Sequence, residues 1–130
     1  MVFSTRRATL TKEAKRAYQA PLRDPTQRTG THVFPGAITK SRDFLRGIEV
    51  RLGDLDGCDF LFLWPDGDIA FRDAELRRWR SLYPAAQVIP LRKCGHYIFE
   101  EAGPECADAL ARWLAQNALG KGVPAPSRLE

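Results

Sequence analysis

The run Cys58-Asp-Phe-Leu-Phe-Leu-Trp64 constrains the chain more than any other segment, because it is almost continuously apolar and only seven residues long. A short apolar run bounded by turn residues is the pattern of a strand buried on both faces of a parallel sheet. Pro65-Asp66-Gly67-Asp68 follows as a turn. Asp73 is placed to cap a helix whose Leu76, Trp79, Leu82 and Tyr83 fall on one face, and Pro84 should end it. Gln87-Val88-Ile89-Pro90-Leu91 reads as a second short strand. Strand, helix and strand in this order form a crossover unit, which joins parallel strands and is right-handed by default.

The segments on either side are different in texture. Upstream, Thr11 caps a short helix to Gln19, which should stop at Ala20 because the residue before Pro21 is pushed out of the α region. Asp24-Pro25 is a second helix start with Gly30 as its stop, Phe34-Pro35-Gly36 reads as a turn, and Ser41-Arg42-Asp43-Phe44-Leu45 starts another helix. These helices hold few large apolar residues and are too thin for a core of their own. Downstream, Arg92-Lys93-Cys94-Gly95-His96 is a loop, and Pro104 opens a last helix with Cys106, Leu110, Trp113 and Leu114 as its stripe. Gly120 ends it. The expected organisation is residues 1–47 as short basic helices, 48–118 as the α/β part, and 119–130 as a flexible tail.

Charge divides along the same line. Residues 1–47 carry ten Lys or Arg against three acids, whereas residues 48–130 carry ten against thirteen, for a net +4 overall. A basic segment can bind nucleic acid, but here no aromatic residues interleave with the charges and no recognised motif is present, so solvated helical faces are expected. No apolar run approaches the roughly 20 residues that span a bilayer. The start, Met1-Val2-Phe3-Ser4-Thr5-Arg6-Arg7, has no apolar stretch after its arginines, which argues against a secretory signal and leaves only a faint transit-peptide likeness. Cys58, Cys94 and Cys106 are an odd set without metal spacing, and are expected to be reduced, mostly buried thiols of a cytoplasmic protein.

The chemistry-bearing residues are Asp68 and His96. Parallel strands point their carboxyl ends to one edge of the sheet, where ligand sites of open α/β sheets lie. Asp68 follows the first strand and His96 the second, so neighbouring strands about 4.8 Å apart would bring both side chains to one rim. An imidazole held by a carboxylate is the base and orienter of a catalytic triad. Read locally, a second account stands beside this one: an Asp in an Asp-Gly-Asp turn serves the turn, and a loop His is a loop His. Asp66 is the more turn-like acid. Asp66, Asp68, His96 and Glu100 together suit Zn²⁺ or Mn²⁺ by donor type but match no metal spacing. No cofactor is expected.

The order of an apolar strand, Trp64, Asp68, Phe71, a helix with Trp79, Tyr83-Pro84-Ala85, a short strand, Cys94-Gly95-His96, Glu100, Ala102, Pro104 and a terminal helix resembles the C-terminal part of the α/β-hydrolase fold. It resembles haloalkane dehalogenases and neighbouring epoxide hydrolases in particular. Ala17-Tyr18-Gln19-Ala20-Pro21-Leu22 and Phe34-Pro35 are similar to the last helix of the dehalogenase cap and its return to the sheet. The likeness runs from about Leu10 to Leu114. It implies that residues 1–47 are a cap remnant, that Asp68 is the triad acid and that His96 is the base. In dehalogenases this base activates the water that hydrolyses an alkyl-enzyme ester; in serine hydrolases it deprotonates the nucleophile.

Two departures accompany the resemblance. The Gly that follows the Trp in the family is Pro65 here, so the turn presenting Asp68 is expected to differ. None of Ser4, Ser41, Ser81 and Ser127 lies in a Gly-x-Ser-x-Gly frame, and no Asp sits in an equivalent elbow. Trp79 and Trp113 are expected in the core, and Cys94 at a strand end rather than as a nucleophile. The expectation is a truncated dehalogenase-like hydrolase carrying acid and base without the nucleophile, inactive alone. The alternative is an interaction subunit that dimerises, or complements a nucleophile-bearing half, through an exposed sheet edge. A small organic substrate would bind only after such completion; neither nucleic acid nor membrane is an expected partner.

Overall fold

The computed structural model describes residues 5–7 and 9–117, so the expectations for Gly120 and the tail lie outside the described residues. The described residues divide into two compact units, Leu10–Cys58 and a second that joins the described residues before Leu10 to those from Asp59 to Asn117.

Leu10–Cys58 is helical. Helix α1 (Lys12–Gln19) starts where Thr11 Oγ1 accepts the Ala14 N–H at 3.1 Å, as the cap predicts. The chain does not leave the helical region at Ala20; a 3₁₀ turn, Ala20–Leu22, follows directly, with Ala20 at φ −56°, ψ −46°. Asp24 does start an element, accepting the Thr26 N–H, but that element is the 3₁₀ turn Pro25–Arg28. Gly30 is no stop, and Phe34-Pro35-Gly36 is no turn: both lie within α2 (Thr29–Lys40). Proline's fixed φ near −65° is itself helical, so Pro35 is held inside α2 at the loss of one backbone hydrogen bond. Helix α3 (Arg42–Glu49) begins where Ser41-Arg42 predicts. No described residue of this unit is buried, as its sparse apolar content implies.

The other unit holds strand β1 (Leu61–Pro65), helix α4 (Asp73–Leu82), strand β2 (Gln87–Leu91) and helix α5 (Ile98–Asn117). The strands pair in parallel, with Leu61 opposite Gln87 and Pro65 opposite Leu91. This is a mixed helix and strand fold compatible with part of an α/β architecture. Helix α4 begins with the Glu75 carboxylate accepting the Arg72 N–H at 2.7 Å, one residue before the expected Asp73 cap, and ends before Pro84. It covers one face of the sheet, where Tyr83 stacks on Phe60 at 3.9 Å between ring centres and Trp79 leans on Phe62 at 6.0 Å. The other face meets α5: Leu91, Cys94, Ala102 and Cys106 form the buried cluster, with Leu63 and Ile98 packed against it.

β1 is half-buried rather than buried on both faces, because its outer edge has no neighbour among the described residues. The Gln87 N–H donates to the Phe60 C=O at 3.0 Å and the Asp66 N–H to the Leu91 C=O at 3.2 Å. In a parallel pair alternate residues face the partner, so Leu61 and Leu63 turn their N–H and C=O groups to the outer edge of β1. On β2 the outward residues are Val88 and Pro90, and Pro90 has no N–H to offer.

Helix α5 starts at Ile98, ahead of the expected Pro104. Its backbone breaks at Ala102 (φ −143°, ψ 32°), two residues before Pro104, whose missing N–H and ring exclude a regular turn there. Pro104 thus opens the second stretch of the helix. The buried stripe is Ala102, Cys106 and Ala109, with Trp113 half-buried, while Leu110 and Leu114 are exposed. No helix among the described residues is long and apolar enough to cross a membrane.

Candidate functional site

Both strands end at one rim, and the loops that follow are tied together there. The Gly67 N–H donates to the Cys94 C=O at 2.9 Å, and the Lys93 N–H to Asp66 Oδ1 at 2.6 Å. Lys93 adopts a left-handed backbone (φ 55°), uncommon for a residue with a side chain, and the Asp66 carboxylate holds its N–H there. Asp66 therefore serves the turn. Gly67 is required where it stands, since a Cβ would lie 2.8 Å from the Cys94 carbonyl oxygen.

These cross-links bring the two candidate residues into contact. His96 Nδ1 lies 2.9 Å from Asp68 Oδ2. The acid's side chain is only 4% exposed and the imidazole 40%, so the pair presents its base to solvent and hides its carboxylate. Burial pushes the Asp68 carboxyl up, but the Ala70 N–H at 2.8 Å, the His96 ring and the Phe71 N–H outweigh it. The net shift is downward and favours the carboxylate. A carboxylate only accepts, so Nδ1 carries the proton in this contact and Nε2 is the nitrogen left as a base. Nε2 has no hydrogen-bond partner among the described residues.

Aromatic rings fix the imidazole plane. Phe71 lies parallel to it at 5.8 Å between centres and Tyr97 meets it edge-on at 5.7 Å. A shallow hollow lined by Asp66, Asp68, Phe71, Arg72, Asp73 and Arg77 opens beside the acid. Pro65 closes β1 as its last, buried residue, directly ahead of the turn that presents Asp68.

The remaining candidates are placed apart from this chemistry. Cys94 is fully buried, in the loop three residues past β2 rather than at the strand end, and burial pushes its thiol up, as it does for Cys106; Cys58 is exposed, against expectation. Trp79 leans on Phe62 but is exposed, against the expectation that it lies in the core, because only one side of its ring meets the sheet. Among the described residues no three His, Cys, Asp or Glu side chains converge as a metal site, so Asp66 and Glu100 do not join Asp68 and His96.

One residue escaped the sequence reading. Glu101, in the first turn of α5, accepts the N–H of Gly95 at 2.8 Å and so grips the backbone directly ahead of His96. A Glu after a loop His carries no local signal of such a contact.

No protein-family model matches the chain. Over 117 residues it is 27% identical to a cis-3-alkyl-4-alkyloxetan-2-one decarboxylase of Shewanella oneidensis, a match that covers 86% of this chain. The chain spans 37% of the length of that curated relative. The likeness supports a distant relationship to the α/β hydrolases, with which the parallel strand pair and terminal helix are compatible.

Proposed function

We propose that this chain carries the acid and the base of a dehalogenase-like hydrolase triad, Asp68 and His96, and works with a nucleophile from polypeptide outside these 130 residues. The observation that carries the reading is the 2.9 Å contact of His96 Nδ1 with the shielded Asp68 carboxylate, which leaves Nε2 facing outward. Asp68 holds the ring in the tautomer a base needs and stabilises the imidazolium that forms. His96 Nε2 then takes a proton from a water, which hydrolyses the ester left by a carboxylate nucleophile, or from a hydroxyl nucleophile directly. The substrate class is a small organic electrophile with a halide or oxygen leaving group. The relative's name specifies an oxetan-2-one, a strained cyclic ester of that kind. Reduced thiols fit a cytoplasmic setting.

The nucleophile-bearing segment adds to β1. Its outer edge offers the N–H and C=O groups of Leu61 and Leu63, lacking an N–H only at its last residue, Pro65, whereas the outer edge of β2 offers the N–H of Val88 alone because Pro90 has none. A strand laid parallel along β1 would end at the same rim as Asp68 and His96. A two-stranded sheet gains independent stability from such a neighbour. The second reading, docking of another copy of the chain on that edge, rests on the same observation.

Co-expression with the part of the Shewanella decarboxylase that the match leaves uncovered tests both. The expected result is a one-to-one complex that hydrolyses oxetan-2-ones or haloalkanes and loses activity on His96→Ala and Asp68→Ala. Turnover that survives His96→Ala would overturn the catalytic reading. A homodimer that excludes the added segment would favour the second.

A further inference from the structure

The carboxylate of Glu101 gathers three backbone N–H groups from two distant parts of the chain. Oε1 accepts Gly95 at 2.8 Å, and Oε2 accepts Arg6 at 2.6 Å and Arg7 at 2.5 Å. The Arg7 side chain continues the link: Nε and Nη2 donate to the Arg92 C=O at 3.1 and 2.5 Å, and Nη1 pairs with Glu105. The side chain of Arg6 passes against Gly67, where a Cβ would lie 2.9 Å from Arg6 Cγ. Arg6 and Arg7 therefore touch the turn before Asp68 and the loop before His96 at once.

We infer that Glu101 is a positioning residue for His96, with Arg6 and Arg7 as its counterclamp. Calling His96 the base rests on the proposed function; the positioning does not. Gly95 has no side chain to restrict its backbone, so the direction in which His96 leaves the loop depends on what holds the Gly95 N–H. A carboxylate suits the place, because both oxygens accept and the start of α5 favours negative charge. Glutamine would retain one acceptor and turn an NH₂ toward N–H donors, orphaning either Gly95 or the Arg6–Arg7 pair. With Gly95 released, the imidazole loses its fixed approach to Asp68, and the neutral ring reverts toward the Nε2–H form of a free histidine.

Long-range ¹⁵N–¹H NMR of the imidazole, on the whole chain at a pH where the ring is neutral, reads the tautomer directly. The wild type is expected to be mainly Nδ1–H, and Glu101→Gln to lower the Nδ1–H to Nε2–H ratio by about threefold or more, with helical circular dichroism retained. Glu101→Ala, which removes both acceptor oxygens without placing an NH₂ against the N–H donors, should shift the ratio in the same direction and keeps the test in hand if Glu101→Gln fails to fold. A wild-type ratio in the folded variants overturns the positioning role and reduces Glu101 to an anchor for the N-terminal stretch. Asp68→Asn separates the two claims: if it leaves the ratio unchanged, the acid–base pairing fails rather than the positioning of its loop.

Discussion

The N–H of Gly67 points at the C=O of Cys94 from 2.9 Å, and through that bond the turn before the acid is fastened to the loop before the base. The bond from Asp66 N–H to Leu91 C=O and that from Lys93 N–H to Asp66 Oδ1 flank it. Asp68 and His96 are separated by 28 residues, yet their meeting depends on these loop bonds, which tie the chain together just past the ends of β1 and β2. Cys94, whose carbonyl takes the Gly67 bond, has its side chain buried with Leu91, Ala102 and Cys106.

Gly67→Ala tests this fastening. The added methyl would meet the Cys94 oxygen at 2.8 Å and Arg6 Cγ at 2.9 Å, and the carbonyl cannot retreat without losing its bond. Overpacking of this kind costs about 1–3 kcal/mol. Urea denaturation followed by circular dichroism should show a lower midpoint with the slope unchanged. Wild-type stability would mean that the two loops move apart freely.

Asp68 makes stability depend on acidity. Its folded carboxyl titrates below the unfolded range, near 3.9, because the Ala70 and Phe71 N–H groups and His96 outweigh the upward push of burial. The unfolded chain then binds the proton first as pH falls, so the contribution is complete above about pH 5 and lost as pH drops through the folded value. Asp68→Asn lacks that contribution. The stability gap between wild type and variant should be about 1–3 kcal/mol near neutrality and shrink below about pH 4. A constant gap from pH 7 to pH 3 would contradict the pairing.

How much of this was legible in the sequence depends on the range of each interaction. Gln87–Leu91 and the Thr11 cap could be read because apolar run length and capping chemistry act within a few residues. The Asp68–His96 contact could be read because parallel pairing places successive carboxyl ends on one rim. Phe34-Pro35-Gly36 misled because proline fits a helix as well as a turn at the same φ. Lys93 gave no warning of its left-handed backbone, since only its bond to Asp66 makes that conformation tenable. The Glu101 clamp spans 94 residues to Arg7, and no spacing rule reaches that far.

The three thiols should separate cleanly by reactivity. Cys58 is exposed, whereas Cys94 and Cys106 are buried and their thiols are pushed up, by burial first and then by nearby carboxylates. Reaction requires the thiolate and access to it. Alkylation of the native chain at neutral pH, followed by mass spectrometry, should give one rapid modification at Cys58, with the other two sites reacting only at the rate of unfolding in urea. Early modification of Cys94 would show that the loop before His96 opens on its own.

Trp64 offers a test of the sheet itself. Its indole Nε1 is buried and has no hydrogen-bond partner among the described residues. An orphaned buried donor costs about 1–3 kcal/mol, and phenylalanine removes the donor while keeping an aromatic ring in the strand. The smaller ring also forfeits packing, by an amount of the same order, about 1–2 kcal/mol for the lost apolar surface. The two effects oppose one another, so Trp64→Phe is expected to change the folding free energy by less than about 1 kcal/mol. Trp64→Ala removes the ring as well and should cost about 3–5 kcal/mol. Chemical denaturation of both variants separates the terms, and a loss above about 2 kcal/mol in Trp64→Phe would show that the indole N–H is satisfied in solution.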